Sequence, residues 1–169
     1  PRAFEQMNAG ELFQEVERYT CRFEGFRSPE RNTTGYSFDN SYFSSPDAEV
    51  LYAVVRRYQP RTVVEIGCGH STRLFRQAAR DGGLATRLVA IDPSPRREVR
   101  ELADEFHECP VEHLPINTIP QALGEDDILF IDSSHMLRTG GDVAYLYLQV
   151  LPKLRPGVLI HVHDIFLPY

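Results

Sequence analysis

The sequence predicts an α/β fold, a doubly wound, mainly parallel sheet of strand order 3-2-1-4-5 with helices on both faces. Three observations carry that expectation. Short apolar runs alternate with segments of helical character, the rhythm of parallel strands joined by right-handed crossovers. The first clear run, Val63-Val64-Glu65-Ile66, breaks into Gly67-Cys68-Gly69 and then into helix-forming residues. Acids close three of the runs, at Asp92, Asp132 and Asp164, and ligands of open parallel sheets bind beyond those carboxyl ends.

The elements follow in order. Leu12, Phe13, Val16, Tyr19 and Phe23 recur near helical spacing, predicting an amphipathic helix over about Asn8 to Phe23. Arg27 to Ser45 is a polar segment dotted with aromatics, of a length that is commonly functional or mobile inside a domain. Of its rings, Tyr36, Tyr42 and Phe43 are candidate pocket walls, with ordinary surface packing the competing reading. Ser45 as N-cap, Pro46 in the first turn and the acids Asp47 and Glu49 start a helix that runs to about Tyr58. After Gln59-Pro60-Arg61 comes the first strand, Thr62 to Ile66, then a helix from Ser71 to about Ala79 ended by Asp81-Gly82-Gly83. Leu88 to Ile91 is the second strand, and Ser94-Pro95 opens a helix expected to reach about Phe106. Pro110, Pro115 and Pro120 leave room only for a short third strand near Val111. Asp127 to Asp132 gives the fourth strand, Gly141 to Leu151 a helix, and Val158 to His163 the fifth strand.

At 169 residues the chain is one domain's worth. Acids outnumber bases 24 to 18, so no concentrated basic surface argues for a nucleic-acid partner, and Arg96-Arg97 with Arg100 read as a solvated helix face. No apolar run approaches the roughly twenty residues that span a bilayer, so no membrane partner is expected. Three cysteines, Cys21, Cys68 and Cys109, suggest neither a disulfide framework nor a zinc site, which points to the cytoplasm. Cys68 lacks an evident base beside it and reads as a small packing residue rather than a nucleophile.

The glycine loop lets a ligand approach the backbone, while Glu65 just before it brings a carboxylate toward the pocket, favouring an ammonium or hydroxyls over a bare pyrophosphate. Asp92 at the tip of the second strand is placed to bond the two hydroxyls of a nucleoside ribose. A dinucleotide fingerprint would carry a third glycine, and that position is Thr72. On Glu65-Ile66-Gly67-Cys68-Gly69 and Asp92 the chain resembles the class I S-adenosylmethionine-dependent methyltransferases from about Ser45 to Phe166. The resemblance implies that S-adenosylmethionine lies against Glu65, Gly67, Cys68, Gly69, Ser71, Thr72, Asp92, Pro93, Ser94, Asp132 and Ser133. It implies an N-terminal helix and lid-like segment over 1–45, and a methyltransferase core over 46–169 within a single domain. The family fold normally continues with another helix and two more strands, and these C-terminal strands are expected to be missing, so either the sequence is a fragment or the fifth strand's edge is covered by something else, such as another subunit in a homodimer.

The chemistry is expected at the tips of strands 4 and 5. Asp132 and His135 are three apart, a spacing that lets a turn aim both into one cleft, and a neutral histidine is suited to take a proton from a hydroxyl near neutral pH. Asp132, His163 and Asp164 form a candidate divalent-cation site, although Mg²⁺ prefers all-oxygen coordination. His161, a strand position on the same face as His163, reads as a buried, hydrogen-bonded histidine rather than a ligand. The pattern is similar to metal-dependent O-methyltransferases of catechols and of the macrolide-sugar and polysaccharide tailoring group, in which an acid after strand 4 and a pair after strand 5 hold Mg²⁺. The expected activity is therefore methyl transfer to a hydroxyl of a small molecule or saccharide. A nicotinamide-dependent oxidoreductase and a cofactor-binding module without turnover are the rival readings.

Overall fold

The computed structural model describes residues 9–27 and 35–165; Asn8 at the head of the expected first helix, 28–34 of the expected polar segment and Phe166 at the end of the family-like region lie outside them. A five-stranded parallel sheet has the order β3-β2-β1-β4-β5, built from β1 (Thr62–Ile66), β2 (Arg87–Ile91), β3 (Glu105–His107), β4 (Ile128–Ile131) and β5 (Leu159–Val162). Because side chains alternate across a strand, β1 sends Val63 to one face and Val64 and Ile66 to the other. On the Val63 face lie α3 (Asp47–Tyr58), α4 (His70–Gly82) and the opening segment, whose Phe23, Phe26, Tyr36 and Phe43 are buried in the same core as Leu51, Leu74 and Phe130. Facing Val64 are α6 (Thr118–Ala122) and α7 (Asp142–Tyr145), which runs on as a π-helical turn, Leu146–Val150, and a 3-10 turn, Leu151–Lys153. Helices therefore cover both faces, as the sequence predicts.

Three local expectations need correction. The first helix is two, α1 (Ala9–Glu17) and α2 (Thr20–Arg27), broken where the Thr20 hydroxyl donates to the Glu17 carbonyl. Helix α3 has Pro46 rather than Ser45 at its N-cap, and the Ser45 hydroxyl reaches Glu49 instead. The long helix expected from Ser94 to Phe106 is only α5 (Arg97–Arg100), and β3 falls inside the remainder rather than near Val111, which opens a 3-10 turn. Sheet pairing overrides helical propensity there: the Asp104 N–H donates to Leu88 O, Leu88 N–H donates to the Asp104 carboxylate, and Asp92 N–H reaches His107 O. No helix among the described residues is long and apolar enough to cross a membrane.

Candidate functional site

The strand parity that sends Val63 toward α4 also sends Glu65 there. Its carboxylate is fully buried and accepts hydrogen bonds of 2.7 Å from both the Ser71 and Thr72 hydroxyls in the first turn of α4. Glu65 thus ties helix to strand under the loop and does not face the cleft, correcting the sequence expectation. Burial pushes its carboxyl up to about 8, against the pull of the two hydroxyls, with the charges of Asp132 and Asp92 raising it further. Ser71 and Thr72 are themselves buried, so their side chains shape the loop from behind rather than line the cleft.

The loop between β1 and α4 has committed its N–H donors. Gly67 N–H goes to Ile91 O, Cys68 N–H to Asp92 Oδ2 and Gly69 N–H to Thr72 Oγ1, at 2.9, 2.8 and 3.0 Å. A pyrophosphate needs such donors, so the loop is poorly equipped for a dinucleotide and better suited to a group that donates, such as an ammonium. Gly67 sits at φ +81°, and a Cβ there would lie 1.9 Å from the Asp132 carbonyl oxygen; a Cβ on Gly69 meets nothing within 4 Å. The loop is therefore pressed against β4 at Gly67 and open at Gly69. Burial, then the charges of Glu65 and Asp92, push the Cys68 thiol well above its usual range, the opposite direction to that of an activated thiolate.

A cleft of about 330 Å³ opens at the carboxyl ends of the strands, within the range of small-molecule sites. Ile66, Ile91, Pro93, Pro110 and Val111 give it apolar walls that suit a flat purine. Asp92 stands on the cleft; Cys68 and Ser94 N–H groups hold one carboxylate oxygen each, leaving each oxygen a further lone pair for a ribose hydroxyl. Of the residues expected to hold the cofactor, Gly67, Asp92, Pro93, Asp132 and Ser133 line this cleft, while Ser94 contributes its backbone to Asp92. Sequence reasoning missed Pro110, Val111, Glu112, Arg138 and Asp142. With β3 placed at Glu105–His107, the rule that ligands bind beyond strand ends points directly at 108–112. Against the penalty of burial, hydrogen bonds from Ser134 hold the Asp142 carboxyl below its ordinary range, pinning the loop after β4.

Asp132 lines this cleft, and beside it stand His135 and Asp164, the possible ligand atoms of the three lying within 4.8 Å of one another. His135 Nε2 is 3.2 Å from Asp132 Oδ1. His135 and Asp164 both hold left-handed backbone, at φ 55° and 54°, a strained state for residues with a Cβ that recurs at functional sites. The trio joins Asp132 and Asp164 of the expected ligand set to His135, and His163, the nitrogen ligand expected from the sequence, lies beside them. Parity of β5 turns His161 and His163 toward the α3 face, where His163 is packed by Phe43 and Phe130 with ring centroids 4.9 and 6.4 Å away. Its Nδ1 lies 3.5 Å from both Asp132 and Asp164 and its Nε2 3.6 Å from Asp47 at the start of α3. His161 is half-buried rather than buried, and burial, then the neighbouring His163, lower it to about 4, which keeps it neutral. Tyr36 is buried and bonds the Phe43 carbonyl, while exposed Tyr42 stacks on His70 and is capped by Arg96.

Comparison with known proteins agrees with this geometry. Residues 64–165 match the family model described as a methyltransferase domain. Among solved structures, the SAH-bound methyltransferase PaMTH1 of Podospora anserina superposes with a TM-score of 0.50 at 21% identity, covering 95% of this chain and 64% of that one. An apo structure of CmcI gives 0.55 at 13% identity, covering 95% and 78%, and a SAH structure of CmcI gives 0.50 at 16%, covering 97% and 78%. No curated protein matches the chain. At these identities the structural likeness speaks to fold, and the chain spans 64% of the length of PaMTH1. The family match covers more than half of the sequence, and the chain belongs to the methyltransferase-domain family, with the fold of the class I S-adenosylmethionine-dependent methyltransferases.

Proposed function

We propose that the chain moves a methyl group from S-adenosylmethionine to a hydroxyl of a small-molecule acceptor, with His135 as general base. The observation that carries this reading is the convergence of Asp132, His135 and Asp164 beside a cleft whose inner part suits an adenosine. S-adenosylmethionine supplies an electrophilic methyl on a sulfonium. Toward it, Asp92 offers lone pairs for the ribose hydroxyls, Pro93, Pro110 and Val111 enclose the base, and the loop at Gly67 to Gly69 receives the amino-acid end. An unactivated hydroxyl is a poor nucleophile, so a base must take its proton as the new bond forms. A carboxylate only accepts, so Asp132 fixes the tautomer in which His135 Nε2 carries a proton and Nδ1 keeps the lone pair.

The same trio fits a divalent cation in part. Asp132 and Asp164 would hold it through oxygen with His135 as a nitrogen donor, a mixed set that suits Mn²⁺ better than Mg²⁺. Such an ion, when bound, lowers the pKa of a coordinated hydroxyl. Titration calorimetry with S-adenosylmethionine and SAH tests the reading: one molecule of each should bind per folded chain, and a NADH titration should give none. A folded sample that binds neither compound overturns it.

A further inference from the structure

Tyr42 is 71% exposed, yet its backbone is held in place. Asn40 Oδ1 accepts the N–H groups of Tyr42 and Phe43 at 3.1 and 2.7 Å, Asn40 Nδ2 donates to the Ser37 and Phe43 carbonyls, and Phe43 is buried in the core. The Tyr42 ring is thereby laid on His70, with centroids 6.1 Å apart and planes 11° from parallel, and Arg96 Cζ lies 5.2 Å from the centre of the same ring. Three segments meet in this stack: the opening segment, the first residue of α4 and the loop after β2. His70 directly follows Gly69, and Arg96 comes four residues after Asp92, so the stack joins the two loops proposed to hold the cofactor.

Its charges set it apart from its surroundings. Arg73 meets Glu98 at 3.4 Å and Arg100 meets Glu108 at 2.5 Å, whereas Arg96 pairs with no carboxylate among the described residues and rests on Tyr42 instead. Burial, then Arg73 and Arg96, lower the His70 ring below its ordinary range, so the local field is positive in a chain of net charge -6. The amino-acid end of S-adenosylmethionine carries a carboxylate, and the glycine loop has no N–H donors left for it, since those of Gly67, Cys68 and Gly69 are committed. The side of that loop left open is at Gly69, next to His70.

Resting on the proposed use of S-adenosylmethionine, we propose that Arg96 binds the carboxylate of the cofactor's amino-acid end and that Tyr42, stacked on His70, positions its guanidinium. Arg96, read from the sequence as part of a solvated helix face, becomes a ligand contact, and the opening segment takes part in cofactor binding through one ring.

S-adenosylmethionine and decarboxylated S-adenosylmethionine, which lacks only that carboxylate, are titrated calorimetrically into the chain. The first should bind about five- to tenfold more tightly, the worth of a charged pair that stays partly in water. Arg96→Gln should abolish the preference by weakening S-adenosylmethionine alone. Tyr42→Ala should reduce it several-fold and Tyr42→Phe, which keeps the stack, should preserve it. Arg138→Gln, which removes a cation lining the cleft itself, should leave it intact. Each reading is a ratio of two affinities within one protein, so a change in a variant's stability does not alter it. Equal binding of the two compounds by the parent chain, a preference that survives Arg96→Gln or Tyr42→Ala, an equal loss of both compounds in Arg96→Gln, or a preference removed by Arg138→Gln overturns the proposal. A parent chain that binds neither compound overturns the methyltransferase reading along with it, whereas equal binding of both leaves that reading standing.

Discussion

The two glycines of the β1–α4 loop offer a paired test of stability against binding. At Gly67 a methyl group would sit 1.9 Å from the Asp132 carbonyl oxygen, more than an ångström inside the closest approach real Cβ atoms make, and that neighbour is backbone. Strand β4 is hydrogen-bonded at this point, Asp132 N–H to Ile66 O, so it yields only by losing pairing. The φ of +81° adds a left-handed penalty of about 1–2 kcal/mol for a residue with a Cβ. Overpacking against fixed atoms adds about 1–3 kcal/mol. Gly67→Ala should therefore cost about 2–5 kcal/mol, a large part of a typical domain's stability, and lower the melting temperature by about 5–15 °C. Gly69→Ala meets nothing within 4 Å and should melt within about 2 °C of wild type, yet bind S-adenosylmethionine about tenfold more weakly, because its methyl enters the side of the loop left open for ligand. Circular dichroism melts and calorimetry read the two effects separately. A Gly67→Ala protein that melts with wild type, or a Gly69→Ala protein of unchanged affinity, would refute the account of the loop.

Other outcomes follow from the same contacts. Glu65 is raised from 4.5 to about 8, so between those values the folded chain keeps a proton that the unfolded chain has released. The stability tied to that proton is full below pH 4.5 and is lost as pH rises through 8; Glu65→Gln should flatten the fall, and parallel melting curves for the two proteins would contradict it. Asp92→Ala should weaken S-adenosylmethionine binding by about 1–3 kcal/mol, measured by calorimetry, since it removes the ribose acceptor and frees the N–H groups of Cys68 and Ser94. His135→Ala should lower kcat by about 10²–10⁴ with the cofactor Kd unchanged, and a variant of wild-type rate removes His135 as base.

The sheet was readable because β1, β2 and β4 are apolar runs bounded by turn residues, and their order follows from alternation with helices. The third strand was hidden. Glu105, Phe106 and His107 come four non-helical residues after the short α5 and carry no alternation of their own, so only pairing with Val89 to Ile91 reveals them. Losing that strand also hid the Pro110 to Glu112 wall. At the glycine loop the sequence located the cleft but misjudged Glu65, whose orientation depends on which sheet face α4 covers. Asp132 with His135 was legible from spacing within one turn. The seating of His163 beside that pair was not, because it depends on Phe43, a residue of the opening segment 120 positions before His163.

A loop whose amides are satisfied from within has its shape before any guest arrives. On the proposed reaction it receives the amino-acid tail, which the spent product shares unchanged with the donor. Little in that crevice can then tell one from the other, and the product should linger as an inhibitor comparable in strength to the donor's own hold. Sustained turnover would depend on something outside the chain that clears it.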